Sequence, residues 1–100
     1  MENVIILKRD ERGNAIANIP QVIVSHSPSG FEWGYGGSGP ADLALNILYA
    51  VTKNREIAYE YHQEYKWDVI SKIPYEGTVI TYEEVLDWLS KKGVDISNFQ

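Results

Sequence analysis

Three observations on this chain of 100 residues predict an α+β fold. Short β-branched stretches bounded by turn residues occupy its start. From Pro40 onward the apolar spacing changes to steps of three and four, in three separate windows. No internal repeat follows, and the length suits one domain over residues 1–100. The expected architecture is a small N-terminal antiparallel sheet packed with three helices, with a Gly- and aromatic-rich structured loop before the first helix.

Val4-Ile5-Ile6-Leu7 is apolar and β-branched, and the turn cluster Asp10-Glu11-Arg12-Gly13-Asn14 follows it. Ile19 to Val24 is the next extended stretch, with Pro20 near its start, where a missing N–H costs least. The two predict an antiparallel pair. Ser25 to Gly39 then reads as a loop that holds five of the eight glycines. Long irregular loops are uncommon in a small domain unless they serve a purpose.

The first helix is expected to open at Pro40, with Ser38 or Gly39 as its cap. Its apolar residues, among them Leu43, Ala44, Ile47, Leu48 and Val51, cover most of the helical circumference, as in a central buried helix. Asp42 and Asn46, one turn apart, form the only polar stripe, so they are expected to mark its solvent or ligand side. Asp42 is placed in the first turn, already using the helix dipole.

Asn54 can cap a second helix running to about Ile73, where Pro74 stops it. Ala58, Tyr61, Tyr65, Val69 and Ile73 form its apolar face, opposite Glu56, Glu60, Gln63, Glu64 and Ser71. The link Lys53-Asn54 is short, so the two helices should pack antiparallel. A short extended piece, Gly77 to Ile80, precedes the clearest local signal. Thr81 and Glu84 form a capping box, and Ile80 with Val85 a hydrophobic staple. Tyr82, Val85, Leu86 and Leu89 should face the core, and Lys91, Lys92 and Gly93 suit the helix end.

Composition excludes several functions. The chain has no cysteine, so it offers no disulfide framework, thiol nucleophile or thiolate metal site. Its net charge is −5, and no window concentrates Lys or Arg. Duplex nucleic acid and anionic membranes are therefore not expected partners; an acidic surface suits solubility, or a basic partner protein. No apolar run approaches the ~18 residues of a membrane helix, and the N-terminus lacks the features of a signal peptide. A cytoplasmic location is the expectation.

Gly34-Tyr35-Gly36-Gly37-Ser38-Gly39 satisfies the dinucleotide pattern G-x-G-x-x-G, but its context does not. No hydrophobic strand precedes it, Pro40 starts the helix after the last glycine, and the chain is too short for two nucleotide-binding halves. The phosphate-loop pattern fails for want of a following Lys-Ser or Lys-Thr. What survives is glycine-rich backbone entering a helix N-terminus, which can hold an anion. Phe31, Trp33 and Tyr35 alternate, so an extended backbone would put all three on one face. His26, Ser27, Ser29, Ser38 and Asp42 are ingredients of nucleophilic hydrolysis, without the strained-serine elbow that presents a nucleophile. His26 is expected to hydrogen-bond the loop backbone. His62 is expected as a satisfied boundary histidine; a metal site from His26, His62 and Asp42 is the other reading, with no HxxxH or carboxylate spacing to support it. The second and third helices do not read as helix-turn-helix, because their link is long and the third opens with acids.

The stretch His26-Ser27-Pro28-Ser29-Gly30-Phe31-Glu32-Trp33-Gly34-Tyr35-Gly36-Gly37-Ser38-Gly39-Pro40-Ala41, continuing Leu43-Ala44-Leu45, resembles the signature of a family of small uncharacterised proteins of bacteria, phages, plasmids and archaeal viruses. The similarity extends through Tyr65-Lys66 to the last helix. The resemblance implies an accessory protein of a virus or mobile element acting in the host cytoplasm, and it brings no assigned activity.

These readings lead to a non-enzymatic accessory protein that engages a host or viral protein. The alternative is a small-ligand module, for a nucleotide or anion, bound by His26, Tyr35, Gly36, Gly37, Ser38, Asp42 and Asn46 at the first helix N-terminus. A hydrolase built on His26 ranks third. Trp33 is expected to be buried, with His26, Tyr35 and the Gly36–Ser38 backbone lining a shallow concavity. No catalytic residue, metal or cofactor is assigned, and homodimerisation stays open.

Overall fold

Val4–Arg9 forms β1, with Ile5 and Leu7 turned into the core and Ile6 and Lys8 outward. This is the period-two alternation of a strand with one face covered. The computed structural model describes residues 3–99; Met1, Glu2 and Gln100, which the one-domain reading includes, lie outside the described residues. The hairpin turn is built on Asp10, whose carboxylate accepts the N–H groups of Arg12 and Asn14, both at 2.9 Å. Gly13 completes it at φ +83°, a conformation that side chains disfavour.

The returning strand differs from the one expected. β2 is Ala15–Ala17, pairing antiparallel with β1, and Ile19–Val24 carries no ladder. The reason lies in Asn18. Its side-chain amide takes the N–H of Ile6 at 2.8 Å and donates to the carbonyl of Val4 at 3.0 Å. The asparagine thus satisfies the groups on β1 that a longer β2 would have used, and the chain is free to leave the sheet. Pro20, two residues on, has no N–H with which to resume it.

β3 is Thr78–Thr81, shifted by one residue from the extended piece Gly77 to Ile80 that was expected, and it pairs antiparallel with the other side of β1. The sheet order is β2-β1-β3. Leu7, Ile5 and Ile80 meet on its inner face and pack in the same cluster as the helices.

α1 spans Ser38–Thr52, so Pro40 is its third residue and not its first. Proline is tolerated there because a first-turn N–H has no partner within the helix. Every residue from Gly39 to Leu48 is buried, as expected of a helix apolar nearly all round. α2 spans Arg55–Asp68, capped by Asn54, whose side chain accepts the N–H of Ile57 at 3.0 Å. It ends five residues before Ile73. Ser71 bonds its hydroxyl back to the Trp67 carbonyl at 2.8 Å, and Ile70–Lys72 tightens into a 3₁₀ turn that buries Ile70.

α3 spans Tyr82–Lys91 and carries the capping box in both directions, Glu84 N–H to Thr81 Oγ1 at 3.0 Å and Thr81 N–H to Glu84 Oε1 at 2.8 Å. Ile80 and Val85 are both buried in the core cluster. Lys92 bridges to α2 through Glu64 at 3.1 Å and Asp68 at 3.2 Å. The described residues thus form an α+β fold of a three-stranded sheet and three helices, with the buried α1 in its core. Replacing Thr81 by alanine should cost about 1 kcal/mol, read as a lower urea midpoint with an unchanged slope; an unchanged midpoint would show that the cap contributes nothing.

Candidate functional site

Once residues 19–27 leave the sheet, their buried backbone groups need partners from elsewhere. Asp42 and Asn46 supply them. Both side chains are buried and hydrogen-bonded, which corrects the expectation of a solvent side at these two residues. The carboxylate of Asp42 accepts the N–H groups of Ser25 at 3.2 Å, His26 at 3.0 Å and Ser27 at 2.9 Å, and the side-chain amide of Gln21 at 3.1 Å. Asn46 accepts the N–H of Ile23 at 2.9 Å and donates to its carbonyl at 2.8 Å, as a neighbouring strand would. Asp42 is also not in the first turn, which holds no acidic residue. The polar atoms of both side chains are thus committed to the chain.

The aromatics of the loop do not share one face. Gly34 has φ +90° and turns the backbone so that Trp33 is buried, at 2% exposure, while Tyr35 is 52% exposed. The indole N–H of Trp33 donates to the Tyr75 carbonyl at 3.0 Å. Arg9 reaches over from β1 and lies between the rings of Trp33 at 4.4 Å and Tyr75 at 4.2 Å. Its fork meets both oxygens of Glu32, at 2.9 and 3.0 Å, and its Nε donates to the Tyr75 carbonyl at 2.7 Å. A guanidinium stacked and bidentately paired in this way ties sheet, loop and the Tyr75 turn together.

Of the expected ligand set, Tyr35 and Ser38 line a cavity of about 440 Å³ at the start of α1, beside Ser27, Ser29 and Gly39. His26, Gly36 and Gly37 are not part of that lining, and the carboxylate-bearing Glu32 is. Gly36 lies under the indole of Trp67, where an added Cβ would come within 2.1 Å of the ring. A glycine there serves close packing against the indole.

His26 turns away from the loop backbone and toward α2. Its Nε2 lies 3.0 Å from Nε2 of His62, with ring centroids 5.1 Å apart. His62 Nδ1 sits 2.7 Å from the Tyr59 carbonyl, which can only accept, so Nδ1 carries the proton and Nε2 the lone pair. His26 Nε2–H is then the donor of the pair. Burial holds the His62 pKa below the ordinary histidine value. Among the described residues no serine hydroxyl bonds either imidazole, so the hydrolase reading lacks a nucleophile in contact with its base. No group of three or more His, Asp or Glu converges on a point among them either.

The outward face of α2, expected to be polar, also carries two aromatics. Tyr59 and Trp67 are exposed there, Trp67 at 57%, in a row with Gln63. Glu56, Glu60 and Glu64 form the adjoining row at four-residue spacing, all exposed. Lys92 pairs with Glu64, while Glu56 and Glu60 have no ion-pair partner among the described residues. The signal was a tyrosine and a tryptophan eight residues apart on a helix face that otherwise carries acids and an amide.

Comparison with known proteins gives one match. The model described as "Family of unknown function (DUF6166)" covers residues 2–91, which include the loop, all three strands and the three helices. No curated protein and no solved structure matches.

Proposed function

The chain belongs to DUF6166, a family of unknown function, and we propose that it is a non-enzymatic interaction protein that docks a basic segment of a partner protein on the outward face of α2. The observation that carries this reading is Trp67. Its ring is exposed on one side, rests on Gly36 on the other, and has the Lys66 ammonium 4.5 Å from its centroid. A tryptophan immobilised before binding loses little freedom on contact, which is the property of an interface anchor. The neighbouring Glu56 and Glu60 supply uncompensated negative charge, so lysine or arginine side chains of a partner find both carboxylates and aromatic faces. The net charge of −5 steers the same class of partner.

A virus or mobile element acting in a host cytoplasm is the setting this reading adopts, from the resemblance of the loop signature. No helix among the described residues is long and apolar enough to cross a membrane. The small-ligand alternative ranks second. The cavity at the start of α1 offers serine hydroxyls and the helix end, but its lining holds no lysine or arginine and one carboxylate. That balance suits an anion poorly.

A peptide array of basic, neutral and acidic sequences probes the surface directly. Basic peptides should bind most tightly and weaken with salt. Trp67→Ala and Glu60→Lys should each lower affinity by about tenfold, near 1.4 kcal/mol, with melting temperatures close to wild type. Equal binding of acidic peptides, or binding that survives both substitutions, would overturn the assignment.

A further inference from the structure

We infer that His26 and His62, with the Gln63 side chain, form a binding site for a late divalent transition-metal ion, of the nickel or copper class. The two imidazoles come from parts of the chain 36 residues apart, so no sequence spacing announces them. Each is held from behind. The His26 backbone N–H is fixed on the buried carboxylate of Asp42 at 3.0 Å. The His62 ring is fixed by its Nδ1–H on the Tyr59 carbonyl at 2.7 Å, the arrangement that orients ligating histidines and leaves Nε2 for the metal.

The spacing of the two Nε2 atoms fits one ion. Metal–imidazole bonds of about 2.0–2.1 Å put neighbouring ligand nitrogens about 2.9 Å apart at a right angle and about 3.3 Å apart at a tetrahedral one. The observed 3.0 Å lies between these and close to the right-angled case of square-planar ions. The Gln63 amide is 3.3 Å from His62 Nε2, and turning it by half a rotation presents its oxygen at that place. His26 is exposed, so an ion reaches the pair from solvent without opening the core. On binding, His26 Nε2 gives up its proton and Nδ1 takes one from solvent. The pair stays neutral, and the ion takes a place about 1.4 Å to the side of the line joining the two Nε2 atoms, toward which both rings turn their lone pairs.

Full-length, untagged protein titrated with nickel or copper by calorimetry should bind one equivalent. The copper complex should show two nitrogen couplings by electron paramagnetic resonance. His26→Ala removes an exposed ring, so it should melt near wild type, lose one nitrogen coupling, and bind about tenfold more weakly or worse. His62→Gln should lose the other. Binding of unchanged strength in folded His26→Ala protein, or no saturable binding to wild type, would overturn the site; so would a copper spectrum with a single nitrogen.

Discussion

Trp33→Ala is expected to remove about 3–5 kcal/mol of stability, the range for emptying the space of a buried aromatic. A domain of this size holds about 5–15 kcal/mol in total. The loss should therefore lower the melting temperature by about 15 °C or more. Several partners are lost at once. A cavity opens in the core cluster, the indole hydrogen bond to Tyr75 disappears, and the Arg9 guanidinium loses one of the two rings that enclose it. Tyr35→Ala, two residues away, is the control. That ring is half exposed, and its removal should change stability by about 0.5 kcal/mol. Thermal melts of both variants give the comparison. Equal losses would mean that Gly34 does not turn the two rings apart, contrary to its φ of +90°.

Asp42→Ala should be comparably damaging, at about 3–5 kcal/mol, for a different reason. No large volume is lost. Instead the N–H groups of Ser25, His26 and Ser27 lose a shared charged acceptor, and that of Ser27 is buried where water does not replace it. Asp42→Asn keeps the shape but turns an amide NH₂ toward groups that themselves donate, so it should recover only part of the loss. Urea unfolding gives the magnitude, and amide exchange of residues 25–27 gives the cause. Those amides should lose protection in both variants, while amides in the middle of α3 keep theirs wherever the protein remains folded. Unchanged exchange at Ser27 would show that the carboxylate is not what holds the segment.

The two residues also show where one-dimensional reading fails. Asp42 and Asn46 stand out on the first helix because they are polar among apolar neighbours. A helical wheel converts that into an exposed stripe. It is not one, because a stretch of chain with no strand partner lies across the helix and needs donors and acceptors. Polarity on a wheel identifies a side chain that must be satisfied, and it does not distinguish water from backbone as the partner. Asn18 is the same lesson in the sheet. Its amide takes over the ladder after Ala17, and a β-branched run that looks like a strand becomes a strap.

What the sequence determined by itself were the features fixed by neighbours within about four residues or by periodicity. These are the α+β class, the three helices, the Thr81–Glu84 capping box and the buried first helix. Each rests on local geometry that the chain carries with it wherever it goes. Tertiary structure alone decided what depends on groups far apart in the chain. It brought Arg9 between Trp33 and Tyr75, set Trp67 on Gly36, and placed His26 3.0 Å from His62. Those contacts form only when the packing of α1 against α2 and the path of the strap around Asp42 are set. Both are fixed by burial and hydrogen-bond satisfaction over the whole chain, which no local window contains.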